Sequence, residues 1–212
     1  MRLYLFEHCF LCFRVRMIAA LKGLHLQETV VLDDDTETMV ALAGQRMVPI
    51  LVKDDGQAML ESMDMVRYIE AIGEPVLTGP ERPDVAAWAN ATAAKTAPLT
   101  QPRYPLLGLP EFGTVAALDH YTLRKRRTLG ELVELRARTR DLLRELMPAF
   151  EQLDRLIESP RAINGTLSMD DIRVLPMLRS AAVVKGLRFP DTVRRYFETM
   201  MDRLGHQPLP AI

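Results

Sequence analysis

Cysteine is nearly missing: only two occur in 212 residues, and both lie within the first dozen. That scarcity excludes a disulfide-stapled scaffold. With no secretory apolar segment after Met1, it points to a reducing compartment, and the cytoplasm is the expected address. No apolar run approaches the ~18–20 residues of a membrane span. Net charge is small as well: 27 Lys and Arg against 28 Asp and Glu leave −1. This balance speaks for neither nucleic acid nor a membrane surface as a partner. Internal repeats and low-complexity segments do not occur, which leaves an ordinary globular chain long enough to bury a proper core.

The charge that is present is unevenly spread. Residues 1–80 hold seven Lys and Arg against twelve Asp and Glu, while the remainder carries an excess of four positive charges. This asymmetry is compatible with two modules.

The chemistry gathers at His8-Cys9-Phe10-Leu11-Cys12, which contains both cysteines. An apolar run, Leu3-Tyr4-Leu5-Phe6, reads as a short buried strand before it. Val15, Met17, Ile18 and Leu21 after it read as an amphipathic helix. A Cys-x-x-Cys between strand and helix is the pattern of a thioredoxin-like redox site. Cys9 would lie at or just before the first helical turn, where free N–H groups and the helix dipole favour an anion. A thiol there becomes a thiolate, the attacking species, more easily than at its usual pKa of ~8.5. Cys12, one turn later, is placed to attack a mixed disulfide formed at Cys9. A closed zinc site needs four ligands; there is no second Cys pair, and His8, His25, His120 and His206 are scattered in sequence. Two inert buried cysteines remain the plainer alternative, and a permanent disulfide would close too short a loop to contribute much.

Taken in order, Lys22-Gly23 should stop the first helix. Leu26 to Leu32 reads as a strand, and Asp33-Asp34-Asp35-Thr36 as the solvated, acidic start of a short helix ended by Gly44. Met47 to Val52 is a strand with Pro49 near its beginning, Asp54-Asp55-Gly56 a turn, and Gln57 to Leu60 the returning strand. Ser62 is expected to cap a helix whose stripe is Met65, Val66, Ile69 and Ile72. The order β-α-β-α-β-β-α is that of a thioredoxin fold. Residues 1–73 are therefore expected to form one domain, 74–83 a turn-rich linker, and 84–212 an all-α domain. In the second, helices are expected over Asp84–Ala97, Glu111–Arg127 and Leu132–Ile157, with Pro148 kinking or dividing the last. Ser168 and Asp171 read as a capping pair, and a final helix as Asp191–Leu204.

A thioredoxin-fold half followed by a helical half resembles the glutathione transferase architecture. With Cys-x-x-Cys added, the chain resembles the glutaredoxin 2 family of large bacterial glutaredoxins. The residues that carry this are Leu3-Tyr4, His8-Cys9, Cys12, Arg16-Met17, Val31-Leu32, Asp34-Asp35, Gly44-Gln45, Val48 to Leu51, Lys53 to Asp55, Glu61 to Asp64 and Leu77 to Gly79. In the second half they are Leu153-Asp154, Leu156-Ile157, Asn164-Gly165, Asp170 to Ile172, Pro176 and Leu178-Arg179. The resemblance implies a glutathione-dependent thiol–disulfide oxidoreductase acting on disulfide-bonded or glutathionylated proteins, with no metal, and a monomer is the expected state. It implies Cys9 as nucleophile and Cys12 as resolving thiol. Pro49 would be a cis-proline beside the site, the Val48 backbone would pair with the glutathione peptide, and Glu61 and Ser62 would hold its γ-glutamyl end. Taken singly, Ser62 reads as a helix cap and Pro49 as an edge-strand proline.

The family usually has Pro-Tyr between its cysteines, where this chain has Phe10-Leu11, so the redox poise and favoured substrates should differ. Asp170-Asp171 is assigned to folding, and the basic run Arg124 to Arg127 to a solvated helix face. Two other functions compete. A cysteine-type glutathione transferase would use Cys9 alone on electrophiles, without need of Cys12. A non-catalytic interaction module would be expected to have lost the Cys pair or Glu61-Ser62.

Overall fold

Burial alternates along the first strand, β1 (Arg2–Leu5), with Leu3 and Leu5 buried. It is a central strand of a four-stranded sheet in the order β2-β1-β3-β4, with β2 at Gln27–Val30, β3 at Ile50–Val52 and β4 at Ala58–Met59. β2 runs parallel to β1, while β3 and β4 run antiparallel to their neighbours; Leu3 pairs with Leu51 and Tyr4 with Ile50. Because successive side chains point to opposite faces, Tyr4, Ile50 and Val52 share a face with Phe6, Val31 and Met39. Met39 comes from α2 (Thr36–Ala43), which covers that face. Alternation sends Leu3, Leu5 and Leu51 to the other face. There α1 (Phe10–Leu21) and α3 (Ser62–Glu70) pack against each other through buried positions such as Val15, Ile18, Val66 and Ile69.

The computed structural model describes all residues, Met1–Ile212, and they fall into two compact units that do not follow chain order. Met1–Pro75 groups with Tyr104–Thr128, and Val76–Arg103 groups with Leu129–Ile212. Chain order assigns 104–128 to the helical half, yet this stretch joins the sheet's unit. The reason is a set of polar ties. Asp33 N–H donates to Glu111 O at 2.9 Å, and the Asp33 side chain pairs with residues of α5 (Val115–Leu129). The helix expected from Glu111 begins instead at Val115, after a 3-10 turn at Pro110–Phe112. Asp33 is fully buried rather than solvated, and only Asp35 acts as the cap of α2, accepting from Thr38 N–H at 3.0 Å.

The other unit is helical: α4 (Pro83–Thr100), α6 (Leu132–Ala137), α7 (Thr139–Leu156), α8 (Met169–Ala181) and α9 (Asp191–Leu204). Pro98 lies inside α4, near its end, and Pro148 lies inside α7 without dividing it. The break in the 132–157 pattern comes at Arg138 instead, where the Thr139 hydroxyl donates to Arg136 O and accepts from Arg103 Nη2 at 2.7 Å. Ser168 and Asp171 form a capping box, and Asp171 also accepts from Ile163 N–H and the Tyr196 hydroxyl, each at 2.9 Å. Gly79 is needed because a Cβ there would collide with the Thr166 carbonyl. No helix is long and apolar enough to cross a membrane.

Candidate active site

α1 begins where the sequence predicts. Cys9 is its N-cap, with extended backbone (φ −75°, ψ 115°), and its carbonyl accepts the first helical bond from Phe13 N–H at 3.0 Å. Phe10 and Leu11 therefore occupy the first helical positions, and Cys12 follows in the same turn. Both cysteines are free thiols; Cys9 is partly exposed and Cys12 is fully buried. The entry to the helix is braced by Arg16. Its Nη1 reaches both Glu7 carboxylate oxygens at 2.8 and 2.7 Å, and Nε and Nη2 reach Glu28 on β2 at 2.9 and 2.5 Å. This is the planar fork that guanidinium presents to carboxylates.

The two thiols are driven apart in acidity. A hydrogen bond from the Cys12 thiol, with smaller help from the His8 charge and the N–H groups of Cys12 and Leu11, outweighs burial and lowers Cys9 to about 6. Burial, the hydrogen bond to Cys9 and the charge of its thiolate push Cys12 well above the ordinary thiol range. At neutral pH the site thus holds one thiolate and one thiol. That is the arrangement needed for nucleophilic attack followed by resolution.

The other residues named from sequence lie as follows. The Val48–Pro49 peptide is cis, the isomer that the resemblance implied. Cys9 and Val48 pack on the same apolar cluster of Phe6, Val31, Met39 and Ile50. Ser62 is not the cap of α3. Glu61, exposed, is the N-cap and makes no side-chain cap bond, while Ser62 is the first helical residue and is buried. The Ser62 hydroxyl lies 3.4 Å from Nη1 of Arg14, which ties it to α1. Cys9, Cys12 and Val48 are thus drawn to one place, and Ser62 is linked to the helix that carries the thiols.

Glu111 and the pairings around it were not visible in the sequence. His8 Nδ1 lies 2.5 Å from the fully buried carboxylate of Glu111. The Arg124 to Arg127 run is not merely a solvated face. Arg124 pairs with Asp33 at 2.9 Å, alongside Arg46 at 3.0 Å and His120 at 2.8 Å. Burial and the adjacent Arg124 charge lower Lys125 to about 8, while the charge of Cys9 acts in the opposite direction. His8, beside Cys9 in the chain, was the one visible signal. Glu111 carries no local mark in the sequence, and Lys125 was marked only as part of the basic run Arg124 to Arg127. No three His, Cys, Asp or Glu side chains gather so as to hold a metal ion.

Comparison with known proteins finds relatives over nearly the whole chain. Residues 84–206 match the family described as glutaredoxin 2, C terminal domain, and residues 8–72 the glutathione S-transferase N-terminal domain. Glutaredoxin 2 of Escherichia coli is 37% identical over 201 residues, 94% of each chain. The crystal structure of glutaredoxin 2 from Salmonella typhimurium, in complex with glutathione, superposes with a TM-score of 0.94. It is 34% identical, over 98% of this chain and 96% of that one. A maleylacetoacetate isomerase from Methylobacterium extorquens, 22% identical with a TM-score of 0.64 over both full lengths, shares the fold.

Proposed function

We propose, for a chain that belongs to the glutaredoxin 2 family and so is a glutathione-dependent thiol–disulfide oxidoreductase, that Cys9 is the nucleophile and Cys12 the resolving thiol. The observation that carries this is the opposed acidity of the pair, with Cys9 at the helix N-terminus lowered to about 6 and Cys12 raised. With a glutathionylated protein, the Cys9 thiolate attacks the glutathione sulfur. A Cys9–glutathione disulfide forms as the original S–S bond breaks, and the protein thiolate leaves and takes a proton from water. A second glutathione thiolate then attacks the adduct, releasing glutathione disulfide and the Cys9 thiolate.

With a protein disulfide, Cys12 attacks the Cys9 sulfur of the mixed disulfide, and two glutathiones later reduce the Cys9–Cys12 bond. The causes that hold the proton on Cys12 include its hydrogen bond to Cys9 and the charge of the Cys9 thiolate. Both end once Cys9 is in a disulfide, so part of what holds the proton on Cys12 is released when its attack is required, while burial remains.

For glutathione itself, the Val48 backbone beside cis-Pro49 pairs with the tripeptide. The first turn of α3 receives its γ-glutamyl end: Ser62 N–H, at the first helical position, has no intrahelical partner and suits an α-carboxylate. Glu61, exposed at the cap, accepts from the α-ammonium group. Disulfide-bonded and glutathionylated proteins are the partners, the protein acts as a monomer, and its site is the reducing cytoplasm. Turnover of a glutathione mixed disulfide tests the assignment of the thiols. Cys9→Ser should abolish it and Cys12→Ser should keep much of it, because free glutathione resolves the adduct; normal turnover by Cys9→Ser would overturn the reading.

A further inference from the structure

Glu111 is a buried carboxylate, 0% exposed, carried on the 3-10 turn Pro110–Phe112. Its Oε1 accepts from the His8 backbone N–H at 3.0 Å and lies 2.5 Å from His8 Nδ1, while Oε2 has no hydrogen-bond partner in the protein. A buried carboxylate without a cation is strongly disfavoured, and the only ionisable side chain bonded to this one is His8. The imidazole is held on all sides. Phe6 and Phe112 stack with it at 5.6 and 5.4 Å between centroids, Tyr104 lies tilted at 4.5 Å, and Tyr121 meets it edge-on at 5.5 Å. Packing alone would ask for an aromatic ring at position 8, not for a carboxylate 103 residues away aimed at its nitrogen. The next residue in the chain is Cys9.

We propose that Glu111 is a positioning residue for the thiol chemistry, pairing with His8 and holding its ring so that the charge of His8 acts on the adjacent Cys9 thiolate. The inference rests on the reading of Cys9 as nucleophile. It makes Glu111 act through His8 and not directly. By its own field a carboxylate opposes a nearby thiolate, so direct action and action through His8 have opposite signs. Burial pulls Glu111 toward its neutral form, yet the hydrogen bond and charge of His8 hold it below the ordinary carboxylate range, as an ion pair requires. The groups facing Cys9 are Cys12 from α1, His8 from its own segment and Lys125 from α5; those facing His8 are Glu111, Tyr104 and Tyr121. None of the variants below alters Cys12, Lys125 or the tyrosines.

The test is the rate of iodoacetamide alkylation against pH, with peptide mapping to assign the labelled thiol, on the full-length reduced protein. Glu111→Gln keeps the shape and hydrogen-bonding capacity but removes the charge. It should raise the pH of half-maximal Cys9 alkylation by about one unit, a roughly tenfold slower reaction below the midpoint. Glu111→Asp should restore part of the shift. In a His8→Gln background, where the midpoint is already raised, adding Glu111→Gln should raise it no further, and the double variant should be more stable than His8→Gln alone because no unpaired carboxylate remains. An unchanged or lowered midpoint in Glu111→Gln would overturn the proposal, even if its melting temperature fell. First labelling at Cys12 would instead overturn the assignment of Cys9, so the two failures are distinct.

Discussion

Asp33 Oδ2 and Arg124 Nη2 lie 2.9 Å apart, although 91 residues separate them in the chain. Asp33 is fully buried, and Arg46 and His120 also bind its Oδ1. Burial alone would raise its carboxyl, but the His120 hydrogen bond and the charges of Arg124 and Arg46 hold it below the usual range. An aspartate so lowered stabilises the fold above its unfolded value of ~3.9, and that contribution is lost as pH falls through the folded value. Asp33→Asn should therefore cost about 2–4 kcal/mol at pH 7, since it leaves cations without their buried partner. The gap between variant and parent should close below about pH 4. Urea unfolding at several pH values measures it, and a gap independent of pH would contradict the ionic account.

The opening of α1 invites a second test, at the position where this chain departs from its family. Phe10 is the first helical residue, where proline is well accommodated. Its ring is only partly buried, with the Arg14 guanidinium 5.4 Å above it. Phe10→Pro loses a cation–π contact of about 0.5–1 kcal/mol and gains about 0.4–1 kcal/mol from a narrower unfolded ensemble. The melting temperature should thus move by no more than about 2–4 °C, with activity retained and the reduction potential shifted. A large drop would mean that the ring is part of the core.

Glu61 is exposed at the cap of α3 without a cap bond of its own, so its carboxylate is available to a ligand. Glu61→Ala should raise KM for a glutathione-containing substrate roughly tenfold or more, the equivalent of a lost charge-assisted hydrogen bond of ~1.5–3 kcal/mol. Unfolding should be little affected. Unchanged glutathione kinetics would put Glu61 outside the site.

The features legible in the sequence were those written locally. The strand, Cys-x-x-Cys, helix order is set by residues within a turn or two of one another, and so are the Gly23 stop and the Ser168–Asp171 capping box. The cap of α3 was misplaced by one residue, because Ser62 has good capping chemistry while the extended backbone falls on Glu61. Pro148 does not divide the helix, because it lies inside α7; the break falls at Arg138, next to Thr139, whose hydroxyl is bonded by Arg103 from elsewhere in the chain. The largest omission was the return of Tyr104–Thr128 to the sheet's unit. It depends on pairings such as Asp33–Arg124 and His8–Glu111, which leave no periodicity for a sequence to display.

The central claim is that Cys9 takes the glutathione and Cys12 removes it, and trapping the adduct tests it most directly. Reduced Cys12→Ser protein is mixed with glutathione disulfide, quenched in acid, and examined by intact mass and peptide mapping; wild type is treated in parallel. The account predicts a single glutathione on the peptide containing Cys9 in the variant, and in wild type a transient adduct that gives way to a Cys9–Cys12 disulfide. A variant that stays unmodified, or a wild type that accumulates glutathione on Cys12, would contradict it.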